Sequence, residues 1–426
     1  MLSRQSNILC YIGALALLGA PVAHAAGGAP GRTDAPAHTW LVPAGPGARA
    51  YQTLPLASRR ERDADTLAAS LAIEVEKAVV AAHAPPLVRD TRLDRVSVDL
   101  ARWAATRPLP PFEAVAFLQA YYGIVEQPGP NLILVRGSDE PGVLVELRSQ
   151  LRSALVGQAC RRWGVGLQRA SRAVVVVLAL QDQQLELAPV RRRLTRDERV
   201  RLRGRLLGPY RDPELLVTAP GGAVTRHNMS YQRGRFEGGL ACDAGEGVYQ
   251  VEIGATDRGG PAVLANFPVY CGVEPPVRLS VTQANDGVRQ VAQKPAEAER
   301  ELFSLINRAR AAANLPPLIL EPRLSQVARD HSREMARTGQ VAHVSAHSGD
   351  ALQRLKAGRV EPLPRRIAEN VGQDYSAAQI HVGFMSSPGH RGNLTSPGMT
   401  HVGIGVAAGA GPDHPLYFTE VFAAWK

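Results

Sequence analysis

The sequence predicts an α+β protein in three folded parts: an N-terminal α/β unit, a middle β-sandwich and a C-terminal α–β–α sandwich. Three observations predict it. An amphipathic helix, a Pro-Pro turn and a second amphipathic helix occur twice, at a constant offset of 231 residues. Between the two occurrences lie short strand-like runs punctuated by Gly and Pro. The last part concentrates reactive side chains, with six of the eleven histidines between His343 and Glu420.

At 426 residues the chain holds two or three domains, each large enough for a core. Apolar content of 45% and charged content of 21% exclude wholesale disorder. The net charge of +10 rests on 45 arginines and only four lysines. That skew reads as genome composition more than as a binding surface. A cationic protein still adheres weakly to anionic envelopes. No basic run interleaved with aromatics singles out nucleic acid.

Residues 1–25 read as an export signal. Arg4 supplies the positive region, Ile8 to Leu18 an apolar stretch too short for a stable anchor, and Ala23-His24-Ala25 a cleavage site. No later segment reaches 18 uninterrupted apolar residues. The expectation is a secreted or periplasmic, cell-envelope protein with no transmembrane segment in the mature chain. Cys10 falls inside the signal, leaving Cys160, Cys242 and Cys271. Cys242 and Cys271 flank one strand-rich segment and are the candidate disulfide. Cys160 is then odd and reads as a small buried hydrophobe.

Residues 26–62 are rich in Ala, Gly and Pro and read as a flexible leader, with Trp40-Leu41-Val42 able to dock. Residues 63–187 form the first unit. Leu67, Leu71, Val75 and Val79 fall four apart on one helical face, and Ala84-Pro85-Pro86 ends that helix. Pro85-Pro86-Leu87, Arg92-Leu93, Val96, Asp99, Arg102 and Ala105 return as Pro316-Pro317-Leu318, Arg323-Leu324, Val327, Asp330, Arg333 and Ala336. Trp163-Gly164-Val165-Gly166 echoes Val402-Gly403-Ile404-Gly405, and an apolar strand follows each. The shared order predicts a duplication whose first copy lacks the polar motifs of the second.

Residues 188–275 change to short strands with turn signals, a β-sandwich pattern. In Val248 to Ile253, Tyr249, Val251 and Ile253 share an apolar face while Gln250 and Glu252 point the other way. No catalytic constellation is visible there. Residues 276–299 form a linker with one edge strand, Val277 to Val281.

Residues 300–426 open with a helix over Ala296 to Ala313, and Pro322 starts a second, closed by Gly339. Leu324, Val327-Ala328, His331 and Met335 are its apolar stripe, which makes His331 a core histidine. Ala351 to Lys356 is a short third helix. Ser376 caps a fourth, and two strands end the chain, Val402 to Ala407 and Leu416 to Ala423.

In this part His343, Arg354-Leu355, Ala368-Glu369-Asn370, Ser387-Pro388-Gly389-His390-Arg391, Asn393-Leu394, Gly403-x-Gly405 and Tyr417 to Phe422 follow one another. Together they resemble the CAP superfamily (cysteine-rich secretory proteins, antigen 5 and pathogenesis-related 1) in its bacterial form. The first copy reads as a degenerate relative. Two positions depart from that pattern, with Ala368 where Gly is usual and Phe384 where Trp is usual. The resemblance implies a cleft lined by His343, Glu369, His390 and Glu420, with Asn370 and Asn393 in support.

Two neutral imidazoles, His343 and His390, with a carboxylate and a water make a set that binds Zn²⁺. The same set suits acid–base work. No Ser or Cys sits in a nucleophile motif. The bland readings stand beside these: Glu369 in a turn holding the sheet, His390 bracing a turn, and His347 lining the cleft in place of the favoured His343. The expectation is an exported protein that binds a lipid, an envelope component or a protein. A metal-assisted hydrolase of peptides or cell-wall material, and an adhesion protein with an inert cleft, are the alternatives.

Overall fold

The structure, a computed structural model, describes residues 5–9, 38–55, 66–81, 83–107, 110, 112–126, 131–155, 160–170, 173–282, 293–409 and 415–425. Each α/β part is built on one sheet with helices on both faces. The first sheet runs in the order Gln5–Leu9, Asn131–Gly137, Ala173–Asp182, Cys160–Ala170, Val88–Arg89. The last runs Arg366–Asp374, Leu416–Ala424, His401–Ala408, Ile319–Leu320. Apart from Gln5–Leu9, the two sheets match strand for strand. In both, the short edge strand is parallel to its neighbour and the other pairs are antiparallel. Gln5–Leu9 belongs to the segment read as an export signal. The cleavage signature lies outside the described residues.

The helices follow the same order. Thr66–Ala81 precedes the first Pro-Pro turn and Pro295–Ala312 the second. Leu67, Leu71 and Val75 are buried, as their spacing predicts. Thr91–Ala104 and Pro322–Thr338 come next, each opened by an acidic residue: Asp90 accepts from Arg92 N, and Glu321 from Arg323 N. Both helices lie against Gly-x-Gly strands because nothing larger fits. A Cβ on Gly166 would come within 2.0 Å of the Ser97 carbonyl carbon, and one on Gly405 within 2.1 Å of the Arg329 nitrogen. Asp94 Oδ1 accepts from Val165 N at 2.8 Å, and Ser325 Oγ accepts from Ile404 N at 3.2 Å, the same position in each part.

In the C-terminal part Leu324, Val327 and Ala328 pack with Val421 and Ala423 on one face of the sheet. Ile306, Ile380 and Phe384 pack with Val402, Ile404 and Phe418 on the other. Gly339 ends the Pro322–Thr338 helix in the left-handed conformation, with φ of 71°. Ser376 accepts from Gln379 N and caps Ala377–Ser386.

Between the two parts, strands 193–194, 260–271, 247–257, 211–218 and 224–227 form one sheet, and 229–232, 235–241, 199–206 and 185–187 another. Both contribute to one core, with Leu202, Phe236, Leu215, Val251, Ile253 and Phe267. Cys242 and Cys271 are disulfide-bonded, with Cα atoms 5.7 Å apart.

Several expectations need correction. The leader is not uniformly flexible: His38–Leu41 pairs with Leu279–Thr282, and Ala50–Tyr51 pairs with Val190–Arg191. Leu41 and Tyr51 are buried, so apolar anchoring outweighs the Gly and Pro content. Helices Phe112–Tyr121 and Glu140–Leu155 and strand Asn131–Gly137 were not foreseen. Glu369 stands in the middle of strand Arg366–Asp374, not in a turn. Ser387 opens a short helix, Pro388–Leu394, where a turn was expected. Ala368 has no positive φ, so the usual glycine is not required there.

Candidate functional site

The site forms around Arg366–Asp374, the edge strand of the last sheet. Neighbouring side chains on a strand point to opposite faces. Val371 packs with Met335 of the Pro322–Thr338 helix, and Glu369 shares that face. Ala368 packs with the opposite core, and Asn370 shares that one. Glu369 and Asn370 thus stand on opposite faces of an edge strand, and a polar cluster is built on each.

The first cluster is built on Glu369. His343 Nδ1 lies 3.0 Å from its Oε2, and Arg354 Nη2 donates to its Oε1. Arg354, on the Ala351–Ala357 helix, also donates to the His343 carbonyl at 3.2 Å and fixes the loop that carries the imidazole. Burial alone would raise the Glu369 pKa. The His343 hydrogen bond and the Arg354 charge outweigh it and hold the carboxylate below its ordinary range. His331 is buried, 1% exposed, with Nε2 2.9 Å from the Ala342 carbonyl oxygen. Burial pushes its pKa down, as for a core histidine. His343 is half-buried and bonded to Glu369 whereas His347 is exposed, so His343 is the inward one. Nearby, Glu334 accepts from Ser345 Oγ and Ser348 Oγ and closes that loop.

The second cluster holds Glu420, Asn370, Asn393 and His390. Asn370 Nδ2 donates to Glu420 Oε2 at 2.9 Å and to the His390 carbonyl at 3.3 Å. Asn393 Nδ2 donates to Asn370 Oδ1 at 2.9 Å and to the Glu369 carbonyl at 3.3 Å. Asn393 thus ties the Pro388–Leu394 helix to the strand. Burial pushes the Glu420 pKa up to about 8. Burial, then the charge of His343, pushes the His390 pKa down to about 3. Its ring packs on Phe384, with centroids 5.0 Å apart.

Of the remaining histidines, His381 is buried and pushed down to about 4. His401 sits edge-on to Trp425. His414 lies outside the described residues.

Zn²⁺ does not fit this donor set. Glu369 already holds a guanidinium and an imidazole. Among the described residues no three His, Cys, Asp or Glu side chains are grouped to hold a metal ion.

Two residues escaped sequence reasoning. Arg354 was legible only as part of a motif, because nothing local marks an arginine as buried. Glu252 comes from the middle domain. Its carboxylate accepts from Ser387 Oγ, and from Gly389 N at 3.1 Å. Glu252 is 2% exposed, and burial pushes its pKa up to about 7. The strand's polar face, expected in solvent, is covered by the C-terminal domain.

The model of the cysteine-rich secretory protein (CAP) family matches residues 303–422. An uncharacterized membrane protein of Bacillus subtilis, YlbC, is 31% identical over 129 residues, which are 30% of this chain and 35% of that protein. The chain thus spans about a third of the length of that relative. Among solved structures, an outer surface protein of Borrelia burgdorferi is 18% identical. It covers 32% of this chain and 98% of its own, with a TM-score of 0.29. An extracellular SCP-domain protein of Bacillus anthracis is 15% identical, with 62% and 85% coverage and a TM-score of 0.28. Among the described residues no helix is long and apolar enough to cross a membrane. The family match, which takes in both polar clusters and the strands that carry them, makes residues 303–422 a CAP domain of the cysteine-rich secretory protein family.

Proposed function

We propose that this chain is exported and binds a lipid of the cell envelope through the His343–Glu369 face of its CAP domain. The export-signal pattern and the disulfide support an oxidising, extracytoplasmic setting. The observation that carries binding over catalysis is the state of Glu369. A general base or a metal ligand needs a carboxylate free to accept. Glu369 has one oxygen on Arg354 and the other on His343, and its basicity is lowered. His390, neutral down to about pH 3, is a poor base as well. Such groups orient a ligand's polar end better than they move its protons. Glu420, Asn370 and Asn393 position the His390 segment, and the first α/β part is a degenerate CAP copy serving as scaffold.

The test incubates the full chain with a total envelope lipid extract, recovers the protein by gel filtration and identifies bound species by mass spectrometry. The reading expects retained lipid, reduced roughly tenfold in a Glu369→Leu/Arg354→Leu variant, the scale of losing one polar anchor in a site. Retention should persist in His390→Ala. Turnover of peptide or cell-wall fragments that chelation abolishes would overturn the reading in favour of a metal-assisted hydrolase. Neither lipid nor turnover would leave the adhesion reading.

A further inference from the structure

The middle β-domain touches the CAP domain on both segments that carry the site histidines. At the His390 segment, Glu252 accepts from Ser387 Oγ and Gly389 N, and Asn266 Nδ2 donates to the Ser386 carbonyl at 3.3 Å. Arg391 Nε donates to the Gly222 carbonyl at 3.2 Å. At the His343 segment, Val344 N donates to the Gly259 carbonyl at 2.9 Å. Gly260 sits so close that a Cβ there would lie 2.9 Å from the Cβ of His343. One hairpin, formed by Gly247–Asp257 and Gly260–Cys271, supplies all of these contacts except that of Gly222.

The chemistry of this interface differs from that of the other junction of the middle domain. Ala120 and Val125 of the first part share one apolar core with Phe267 and Leu264. Among the described residues no apolar core joins the middle domain to the CAP domain. Its polar contacts there are hydrogen bonds between groups that water also satisfies on separation, with Leu216 and Val224 lying near Gly389 and Gly392. Apolar junctions are held by burial, whereas polar ones open at small net cost.

We propose that the middle β-domain is a detachable cap on the CAP site, seated by Glu252 on the His390 segment and by the Gly259–Gly260 turn beside His343. Ligand access then requires the hairpin to lift from both segments. The cap rests on the reading of this face as a binding site, but it is tested without any ligand.

The test compares two variants of the full chain with the wild type. Glu252→Lys removes the carboxylate that accepts from Ser387 Oγ and Gly389 N and places an ammonium against the Gly389 N–H, a donor that offers it no partner. Gly259→Cys/Ala342→Cys locks the cap. A Cβ on Gly259 lies 3.6 Å from that of Ala342, within disulfide range. Readouts are amide exchange over residues 386–394 and the rate of diethylpyrocarbonate modification of His390 by mass spectrometry. Glu252→Lys should speed both by about fivefold or more, as expected when a local closed state is weakened. The oxidised cysteine pair should slow both, and reduction should restore them. Failure of the cysteines to pair, or a folded Glu252→Lys variant with wild-type rates, overturns the cap. A destabilised Glu252→Lys variant leaves the cysteine pair to decide. Absence of lipid from wild type and Glu252→Lys alike would count against the binding reading only.

Discussion

The two α/β parts of this molecule share a scaffold and differ in what fills it. Leu132 stands opposite Ala179 and Gly164, where the last part has Glu369 opposite Val421 and Gly403. One residue on, Ile133 and Leu178 occupy the places of Asn370 and Glu420. Leu100 and Ala101 replace His331 and Ser332 at the repeat offset. All of these apolar counterparts are buried. The fold therefore closes equally well around hydrocarbon. Polar groups at the same positions cost desolvation and are not needed to build the sheet. Their presence in one part and not in the other is an argument that they serve a ligand.

The sharpest break of this comparison is at what both parts share. Gly166→Ala and Gly405→Ala each drive a methyl into helix backbone. Each should cost more than about 3 kcal/mol by denaturant unfolding, beyond ordinary overpacking. If only one does, the scaffolds are not equivalent. Next comes Arg354→Ala, which leaves Glu369 buried beside His343 alone. Breaking one partner of a buried pair costs about 3 kcal/mol, whereas Glu369→Leu/Arg354→Leu removes both charges and should be near neutral by the same measure.

A smaller effect separates the parts by pH. Glu420 and Asp374 have pKa values raised by burial to about 8 and about 7, and Glu252 to about 7. A raised carboxyl binds its proton more tightly folded than unfolded. Its contribution is full below its unfolded pKa and is lost as pH rises through the folded one. Lowered histidines act oppositely, but only below their ordinary value near 6.5. Stability should thus fall between pH 6.5 and 8, on the order of 1 kcal/mol per pH unit for each proton involved. Glu420→Gln should flatten that slope. The hydrophobic counterparts in the first part cannot titrate. The smallest effect is expected of Asn370→Ile/Glu420→Leu, which copies the first part: a melting temperature within about 5 °C of wild type.

Local periodicity made the helices legible, since Leu67 to Val79 and Leu324 to Met335 each mark one face. It also identified His331 as a core residue, and the flanking positions of Cys242 and Cys271 as a bridge. It could not tell which face of Arg366–Asp374 holds Glu369, because Glu369 and Asn370 are both polar and both buried. Nor could it see that Glu252, polar and alternating with apolar neighbours, points into another domain. Burial by a distant segment leaves no period in the buried strand. Trp40-Leu41 showed the opposite case: a composition typical of loops carried enough apolar surface to dock, with Leu41 buried beside Leu279.

The most direct measurement is lipid retention by the full chain carrying Glu369→Leu/Arg354→Leu, taken beside its melting temperature. The account predicts a variant that melts within about 5 °C of wild type, as expected for a buried pair replaced whole, and that retains roughly tenfold less lipid. Retention equal to wild type, or a chain that fails to fold, would contradict it and return these polar groups to the scaffold.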